Sequence, residues 1–319
     1  MRSTTTKAGL SLALLAGALA GCNHSPVIRD HKGPPPGQAQ GKADPASLVN
    51  YMNLNAKRVQ SVRAKVDIDA KMVDPKGSRQ QIALAGHMAC RAPNELRLRA
   101  VSFGKPVVDL GSNKKELWYW LSQAEPKYVY HCAHTDLPKA AARMPFPFQP
   151  DMVLAAMSMA QYDPKAKYTL KEGKYFRNPQ LATLELTQEM TSATGQQIKR
   201  TTIFNRTAVR APEPQVLAHV LSDSKDKLIC RAIVHKVTAD RDSGAIVPSK
   251  VTIEWPEQKV ALDLMLTGIE LNIIDDQLAG RLFSRADLSQ YDSYDLAKGL
   301  VTPTAGIRRA SGTAPVQQR

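Results

Sequence analysis

Alternation of apolar and polar residues runs through most of the chain. From about Val59 the pattern has a period of two, as Val66 and Ile68 lie between Lys65, Asp67 and Asp69. The same period recurs over 82–90, 96–99, 106–110, 116–121, 127–132, 167–171, 181–187, 196–205, 215–222, 227–237, 250–255 and 259–271. A period of two predicts strands with one apolar face, and the short turns between them predict an antiparallel meander.

Two segments have helical patterns instead. Asp44 is a suitable N-cap and Pro45 a suitable first residue for a helix that precedes the first strand. A second helix is predicted at 150–161, after a proline-rich stretch, and it is apolar on nearly every side. A surface helix has a polar face, so this helix is expected to be buried on more than one side. A short helix is also predicted within 275–283.

The N-terminal pattern indicates export. Arg2 and Lys7 precede the apolar run 8–20, and small residues lead to Cys22. The run is shorter than the roughly 20 apolar residues of a membrane-spanning helix, and the layout is that of a signal peptide. Leu19-Ala20-Gly21-Cys22 resembles the lipobox of bacterial lipoproteins, which implies acylation of Cys22. The alternative is an ordinary cleavage near Ala20, with Cys22 incidental.

These patterns divide the chain into four parts. We expect a signal peptide at 1–21, a Pro- and Gly-rich linker at 22–43, a folded domain at 44–296 and a disordered tail at 297–319. The expected location is the cell envelope, with a lipid anchor in the membrane. Asn23 follows the acylated cysteine where the enterobacterial sorting rule has Asp for the inner membrane, so the resemblance favours the outer membrane, facing the periplasm.

Composition changes the picture little. The formal net charge is +14, but the basic residues are scattered and no run of five or six occurs. Nucleic acid is therefore not an expected partner, and anionic lipid surfaces are the more plausible counter-charge.

The sequence has no recognisable motif of catalytic or metal-binding residues. The nucleophile, zinc-protease, P-loop and dinucleotide motifs do not occur. His131, Cys132 and His134 are close in sequence, yet no second ligand cluster accompanies them. With Cys22 acylated, Cys90, Cys132 and Cys230 allow one disulfide at most. We expect neither an enzyme nor a cofactor or metal site.

The order of elements resembles a known superfamily. A lipobox and a helix precede VQSVRAKVDIDA (59–70) and GHMACRAPNELRLRAVSFGKPVVDLGSNKKELWYWL (86–121). After the apolar helix come IKRTTIFNR (198–206), VPSKVTIEWPEQKVALDLMLTGIELN (247–272) and LFSRADLSQY (282–291). Over about 45–295 this is similar to the LolA/LolB-like superfamily of outer-membrane lipoprotein sorting. The resemblance implies a mainly β fold, in which an unclosed antiparallel barrel of about eleven strands wraps a hydrophobic cavity under a helical lid.

The resemblance also implies a function and a site. The expected ligands are lipid acyl chains or lipoprotein cargo, held for lipoprotein sorting at the outer membrane. The predicted lid residues are Met152, Leu154, Ala155, Met157 and Met159. The predicted cavity lining is Val66, Ile68, Met72, Ile82, Leu84, Met88, Leu96, Leu98, Leu117, Tyr119, Leu184, Leu186, Ile253, Leu262, Leu264 and Leu266.

Two alternatives stay open at this stage. The same apolar residues could form a filled core that only stabilises the fold. The domain could also be an envelope sensor or an interaction module that binds a protein partner and no lipid.

Aromatic residues mark two further places. Alternation places Trp118 and Trp120 on one face of their strand and Tyr119 on the other. One face is expected to pack inward and the other to lie under a helix. The turns at 103–106 and 146–148 are candidates for membrane or partner contact, and a plain turn is the simpler interpretation of the first.

Overall fold

A computed structural model describes residues 43–73, 77–144, 149–285 and 288–303 of this chain. The predicted signal peptide, Cys22, nearly all of the linker, the turn at 146–148 and the tail from 304 lie outside the described residues. The domain boundaries at these places stay predictions. No helix in the described part is long and apolar enough to cross a membrane.

The helices are short and the strands are many. The helices are α1 (Pro45–Arg58), α2 (Leu137–Ala140), α3 (Pro150–Ala156) and α4 (Asp276–Leu282). The strands are β1 (Ser61–Val73), β2 (Arg79–Arg91), β3 (Glu95–Ser102), β4 (Lys105–Ser112), β5 (Glu116–Leu121), β6 (Val129–Ala133), β7 (Tyr168–Tyr175), β8 (Asn178–Thr191), β9 (Gln197–Asn205), β10 (Val216–Asp223), β11 (Leu228–Ala239), β12 (Ile246–Trp255), β13 (Val260–Leu271), β14 (Ser293–Asp295) and β15 (Leu300–Thr302).

All strands in the described residues belong to one sheet. Its order is β15-β14-β6-β5-β4-β3-β2-β1-β13-β12-β11-β10-β9-β8-β7, so β1 is the central strand. The outer strands β15 and β7 do not pair with each other, and the sheet is therefore unclosed, as the resemblance implies. It has fifteen strands in these residues rather than about eleven. Every pair is antiparallel except β14 with β6, which is parallel.

Burial along β1 follows the predicted period. Ala64, Val66, Ile68 and Ala70 are buried, and Arg63, Lys65, Asp67 and Lys71 are exposed. Because successive strand residues point to opposite faces, this alternation turns one face of the sheet inward. The sheet curves so that β3, on one side of β1, and β10 and β11, on the other side, all contact α3.

The start of α1 is as predicted. The Asp44 side chain accepts a hydrogen bond of 2.9 Å from the backbone N–H of Ser47. The Ser47 hydroxyl is 3.4 Å from the backbone N–H of Asp44 and completes a capping box. The cap satisfies backbone donors that have no partner within the helix.

The junction between α1 and β1 is held by one side chain at the end of β13. The Asn272 Oδ1 accepts hydrogen bonds from the backbone N–H groups of Gln60 (2.8 Å) and Ser61 (3.1 Å), and its Nδ2 donates to the carbonyl of Arg58 (2.8 Å). Asn272 has a φ of +58°, which asparagine tolerates better than most residues.

We expect Asn272→Ala to lower the free energy of unfolding by about 1–2 kcal/mol, because an exposed hydrogen bond contributes on the order of 1 kcal/mol net. Urea unfolding would measure this. Asn272→Asp keeps the acceptor but not the donor, so its loss should be the smaller of the two. Equal losses for both variants would contradict this explanation.

The C-terminal part corrects one prediction. The boundary predicted for the disordered tail, residue 297, is too early, because Leu300–Thr302 form β15 and pair with β14. β14 in turn pairs with β6, far along the sheet from β13. After β13, near the middle of the sheet, the chain therefore runs to the edge that β14 and β15 form, before the described residues end at 303.

Candidate functional site

Helix α3 is buried against the inward face of the curved sheet. All residues from Met152 to Met157 are buried, and so is Met159. All except Ala155 belong to the central apolar cluster, together with residues of β1, β2, β3, β12 and β13. The five predicted lid residues are therefore buried as a group. Whether they move as a lid stays a prediction.

This helix is shorter than predicted, and its end has a clear cause. It ends at Ala156 rather than at 161. Ser158 adopts a left-handed backbone with a φ of +62°. Its N–H donates to the carbonyl of Ala155, and the N–H of Met159 donates to that of Leu154, both at 2.9 Å. This is the Schellman pattern of helix ends, in which glycine usually occupies the left-handed position.

The residues predicted to line a cavity are separated into three clusters. Those in or against the central cluster are Val66, Ile68, Ile82, Leu84, Met88, Leu96, Leu98, Ile253, Leu262, Leu264 and Leu266. Leu184 and Leu186 pack under α1, and Leu117 and Tyr119 pack with α2. Met72 is half-buried near the end of β1. Most of these side chains contact one another, and their role as a ligand cavity stays a prediction.

A cavity of about 270 Å³ lies beside the N-terminus of α3. Of the residues predicted from the sequence, Leu117 and Met152 line it. Its other apolar walls come from Leu137, Met144, Pro150, Met190, Ala193, Ile198 and Leu221, and its polar walls from Asn94, Ser112, His134, Gln149, Asp151, Ser192, Thr194 and Arg200. Residues of α2, α3, β5 and the β8–β9 hairpin line the cavity. It therefore lies between the two halves of the sheet, since β5 is on one side of β1 and β8 and β9 are on the other.

Two residues of the cavity lining each have a buried polar atom without a hydrogen-bond partner in the described structure. These atoms are Nε of Arg200 and Oδ1 of Asn94. The other end of the guanidinium is occupied, as Nη2 of Arg200 donates to Oε1 of Gln188 at 2.9 Å. A buried polar atom without a partner costs about 1–3 kcal/mol, so each is a place where a ligand atom or water would be stabilised.

Ser112 and His134 lie together in the same cavity, but their geometry is not that of a nucleophile and its base. Nε2 of His134 is 2.7 Å from the carbonyl oxygen of Asn113 and 3.3 Å from Oγ of Ser112. A carbonyl only accepts, so Nε2 carries the proton and donates it to Asn113. It therefore has no lone pair with which to deprotonate Ser112.

A second, smaller cavity of about 40 Å³ lies between α1 and β10 and reaches His219. Nδ1 of His219 is 3.4 Å from both the Tyr162 hydroxyl and the Thr202 hydroxyl, which are 3.1 Å apart. Burial, and then the nearby Arg200 charge, lower the pKa of His219 to about 3. The imidazole is therefore neutral in the folded protein at neutral pH.

We expect stability to fall as the pH drops below the ordinary histidine pKa of about 6.5. The unfolded chain takes up a proton at His219 there, while the folded chain does not until about pH 3. The neutral imidazole thus contributes stability that is present at pH 7 and lost progressively in that window. Urea midpoints at pH 7 and 4.5 would measure the loss. His219→Gln should reduce it, and an unchanged pH dependence in that variant would contradict the assignment.

The aromatic strand β5 is buried on both faces, as predicted. Trp118 and Trp120 pack with Leu288 and Tyr291 of the C-terminal segment. Leu117 and Tyr119 lie with Leu137 and Ala140 of α2 on the other face. Phe103, in the β3–β4 turn, is fully exposed and has a φ of +48°, which fits a tight turn.

The residues considered for metal or disulfide chemistry are dispersed. Cys90, Cys132 and Cys230 are buried free thiols, and burial raises the pKa of Cys90 and Cys230 to about 12. Nδ1 of His131 lies 3.7 Å from Glu116, whereas His134 contacts Asn113. The described residues hold no group of three His, Cys, Asp or Glu side chains arranged for a metal ion.

Sequence alternation could have pointed to Arg200. Ile198, Arg200 and Thr202 share one face of β9 by a period of two, and Ile198 and Thr202 are both buried. A cation at an inward position of a strand is the signal that the prediction missed. The polar run Lys199-Arg200-Thr201-Thr202 conceals it.

Comparisons with known proteins found similar solved structures. No family model and no curated protein matches the chain. A solved structure of a DUF1329 family protein from Desulfovibrio piger is 12% identical, with 77% of this chain and 99% of that chain covered and a TM-score of 0.45. A putative outer membrane lipoprotein-sorting protein domain from Vibrio parahaemolyticus is 9% identical, with 72% and 96% covered and a TM-score of 0.45.

A LolA superfamily protein from Nitrosomonas europaea is also similar. It is 11% identical, with 74% of this chain and 97% of that chain covered and a TM-score of 0.43.

Proposed function

We propose that this chain is a lipid-anchored protein of the bacterial envelope that holds an acyl chain in the cavity beside α3. The observation that carries the proposal is this cavity of about 270 Å³, whose lining combines apolar side chains with a few polar ones, among them Asn94 and Arg200. Ligand sites combine mostly apolar walls with a few placed polar groups, and their volumes begin at about 300 Å³.

An acyl chain can bind such a cavity without a recognisable sequence motif, because burial of its apolar surface supplies the binding free energy. Each buried methylene contributes about 0.8 kcal/mol, so roughly eight of them would contribute about 6 kcal/mol. Before association and ordering costs, about 6 kcal/mol corresponds to a dissociation constant of tens of micromolar, and those costs weaken the binding further. The three methionine side chains Met144, Met152 and Met190 supply adaptable walls.

The anchor and the location belong to the same proposal. An acylated Cys22 would hold the domain at the outer membrane, and the linker 22–43 would let the cavity reach lipids or lipoprotein cargo near that surface. Function in lipoprotein sorting is the proposed role. The chain would bind and release its ligand without chemistry, which the donor role of His134 towards Asn113 supports.

Uptake of a fluorescent fatty acid tests the proposal. The protein would be the chain from residue 22 with Cys22→Ser, which removes the predicted acylation. Met190 is half-buried on the cavity wall, so Met190→Trp should fill the cavity and lower affinity about tenfold or more. Met265→Trp is the matched control, as Met265 is 47% exposed on β13 and away from the cavity lining. Loss of binding in both variants, or in neither, would contradict the proposed site.

A second candidate function is an interaction module that binds an envelope protein and no lipid. The filled interior around α3 favours it, because most residues predicted to line a cavity pack against one another. Crosslinking followed by purification should then recover a partner whose binding survives Met190→Trp. No lipid uptake by the unsubstituted protein would be expected in that case.

A further inference from the structure

We infer that the cavity beside α3 selects a lipid with one acyl chain and an anionic headgroup, and that Arg200 binds the anion. This inference rests on the proposed function and makes it specific. The carboxylate of a fatty acid and the phosphate of a lysophospholipid share the required chemistry.

The first step concerns charge. Arg200 is half-buried, and no carboxylate in the described residues lies within ion-pair distance of it. Its guanidinium stacks over the Tyr162 ring with 4.2 Å between Cζ and the ring centroid, and it donates to the neutral Gln188. A partly buried guanidinium without a carboxylate partner attracts an anion more strongly than a fully solvated one does.

The second step concerns the free donor. Nε–H of Arg200 is buried and has no partner in the described structure. The guanidinium is a planar fork of five donors that suits carboxylate and phosphate oxygens. If the Arg200 side chain rotates so that Nε faces the cavity, an anionic oxygen there would satisfy a hydrogen bond that the protein itself leaves open. The open Oδ1 of Asn94 could accept from a headgroup hydroxyl, such as that of glycerol.

The third step concerns where the acyl chain of the ligand would lie. Arg200 is opposite Leu221 on β10, and Ile198, two residues before Arg200, is opposite Met190 on β8. These apolar residues and Met152 all line the cavity. A headgroup at Arg200 therefore places the acyl chain along the apolar wall. Asp151 also lines the cavity but is exposed, so water screens its carboxylate.

Volume limits the number of chains. The cavity of about 270 Å³ is close to the lower bound of about 300 Å³ for small-molecule sites. Two or three acyl chains, as in phospholipids or triacylated lipoproteins, would need a larger space. A ligand with one acyl chain therefore fits the cavity as it stands.

Arg200 also has a structural role on Tyr162, so the test separates headgroup binding from folding. Dissociation constants would be measured at pH 8 for a C16 fatty acid, a C16 lysophospholipid with an anionic head and the uncharged C16 alcohol. The variants are Arg200→Gln, which removes the charge, and Arg200→Lys, which keeps it. Urea unfolding of each variant would verify the fold.

The unsubstituted protein is expected to bind at least one anionic probe about tenfold or more tightly than the alcohol, since a charge-assisted hydrogen bond contributes at least 1.4 kcal/mol. Arg200→Gln should abolish that preference for the anionic probe over the alcohol, and Arg200→Lys should restore much of it. The favoured anionic probe identifies the headgroup as carboxylate or phosphate.

Three results would overturn the inference. Equal binding of the three probes by the unsubstituted protein would remove the anion preference while the proposed function stands. Equal weakening of all probes by Arg200→Gln would assign Arg200 a structural role only, again without affecting the proposed function. Binding of none of the probes by the folded protein would remove the proposed function and the inference together.

Discussion

Leu154→Asp is expected to unfold the domain. Leu154 is 3% exposed and packs in the central cluster around α3, where residues from both halves of the sheet surround it. Loss of the leucine alone would cost about 2–5 kcal/mol, and an unpaired carboxylate in an apolar interior costs several kcal/mol more. The sum is comparable with the total stability of an ordinary domain, about 5–15 kcal/mol. Circular dichroism with urea unfolding would measure the effect.

Two controls define the interpretation. Leu154→Met conserves volume and should cost less than about 1.5 kcal/mol. Asp151→Asn, at an exposed position of the same helix, should leave the midpoint nearly unchanged. A Leu154→Asp protein with the unsubstituted midpoint would mean that α3 swings out of the sheet readily, as a lid would.

Asp109→Asn is expected to have the second largest effect, a loss of about 3–5 kcal/mol. Arg97 and Asp109 form a buried bidentate pair on the other face of the sheet, with Nε–Oδ1 at 3.1 Å and Nη2–Oδ2 at 2.7 Å. Nη1 of Arg97 also donates to the carbonyls of Leu282 and Ser284, which joins the segment after β13 to β3. The substitution removes the buried carboxylate that accepts two hydrogen bonds from the Arg97 guanidinium.

A half-exposed ion pair of the same sheet provides the comparison for Asp109→Asn. Arg63 and Glu270 are 3.9 Å apart, and both side chains are about half exposed. Because such pairs contribute at most about 1 kcal/mol, Glu270→Gln should barely change the urea midpoint. Equal effects of the two substitutions would show that burial of the Arg97–Asp109 pair has no energetic consequence.

The strands and the inward face were predictable because they rest on local alternation. Val66 and Ile68 are buried where a period of two places them, and the Asp44 cap forms at the predicted start of α1. The unclosed sheet also agrees with the resemblance. The alternation and the cap depend on residues close together in the chain, and propensity and periodicity report such local features well.

The remaining features depend on contacts between distant segments. The end of α3 is set by a left-handed Ser158, which has no sequence signal because glycine usually fills that position. The three-residue strand β14 is too short for a period and pairs in parallel with β6. The cavity forms where α2, α3, β5 and the β8–β9 hairpin meet, so its lining could not be read from any single strand.

The central claim is that an acyl chain occupies the cavity beside α3, and photolabelling with a diazirine fatty acid tests it most directly. The chain from residue 22 with Cys22→Ser would be labelled, digested and analysed by mass spectrometry. We predict adducts on cavity residues such as Met152, Met190 and Leu221, and their loss when unlabelled fatty acid competes. Adducts that map only to the outer face of the sheet, or that unlabelled fatty acid does not reduce, would contradict the claim.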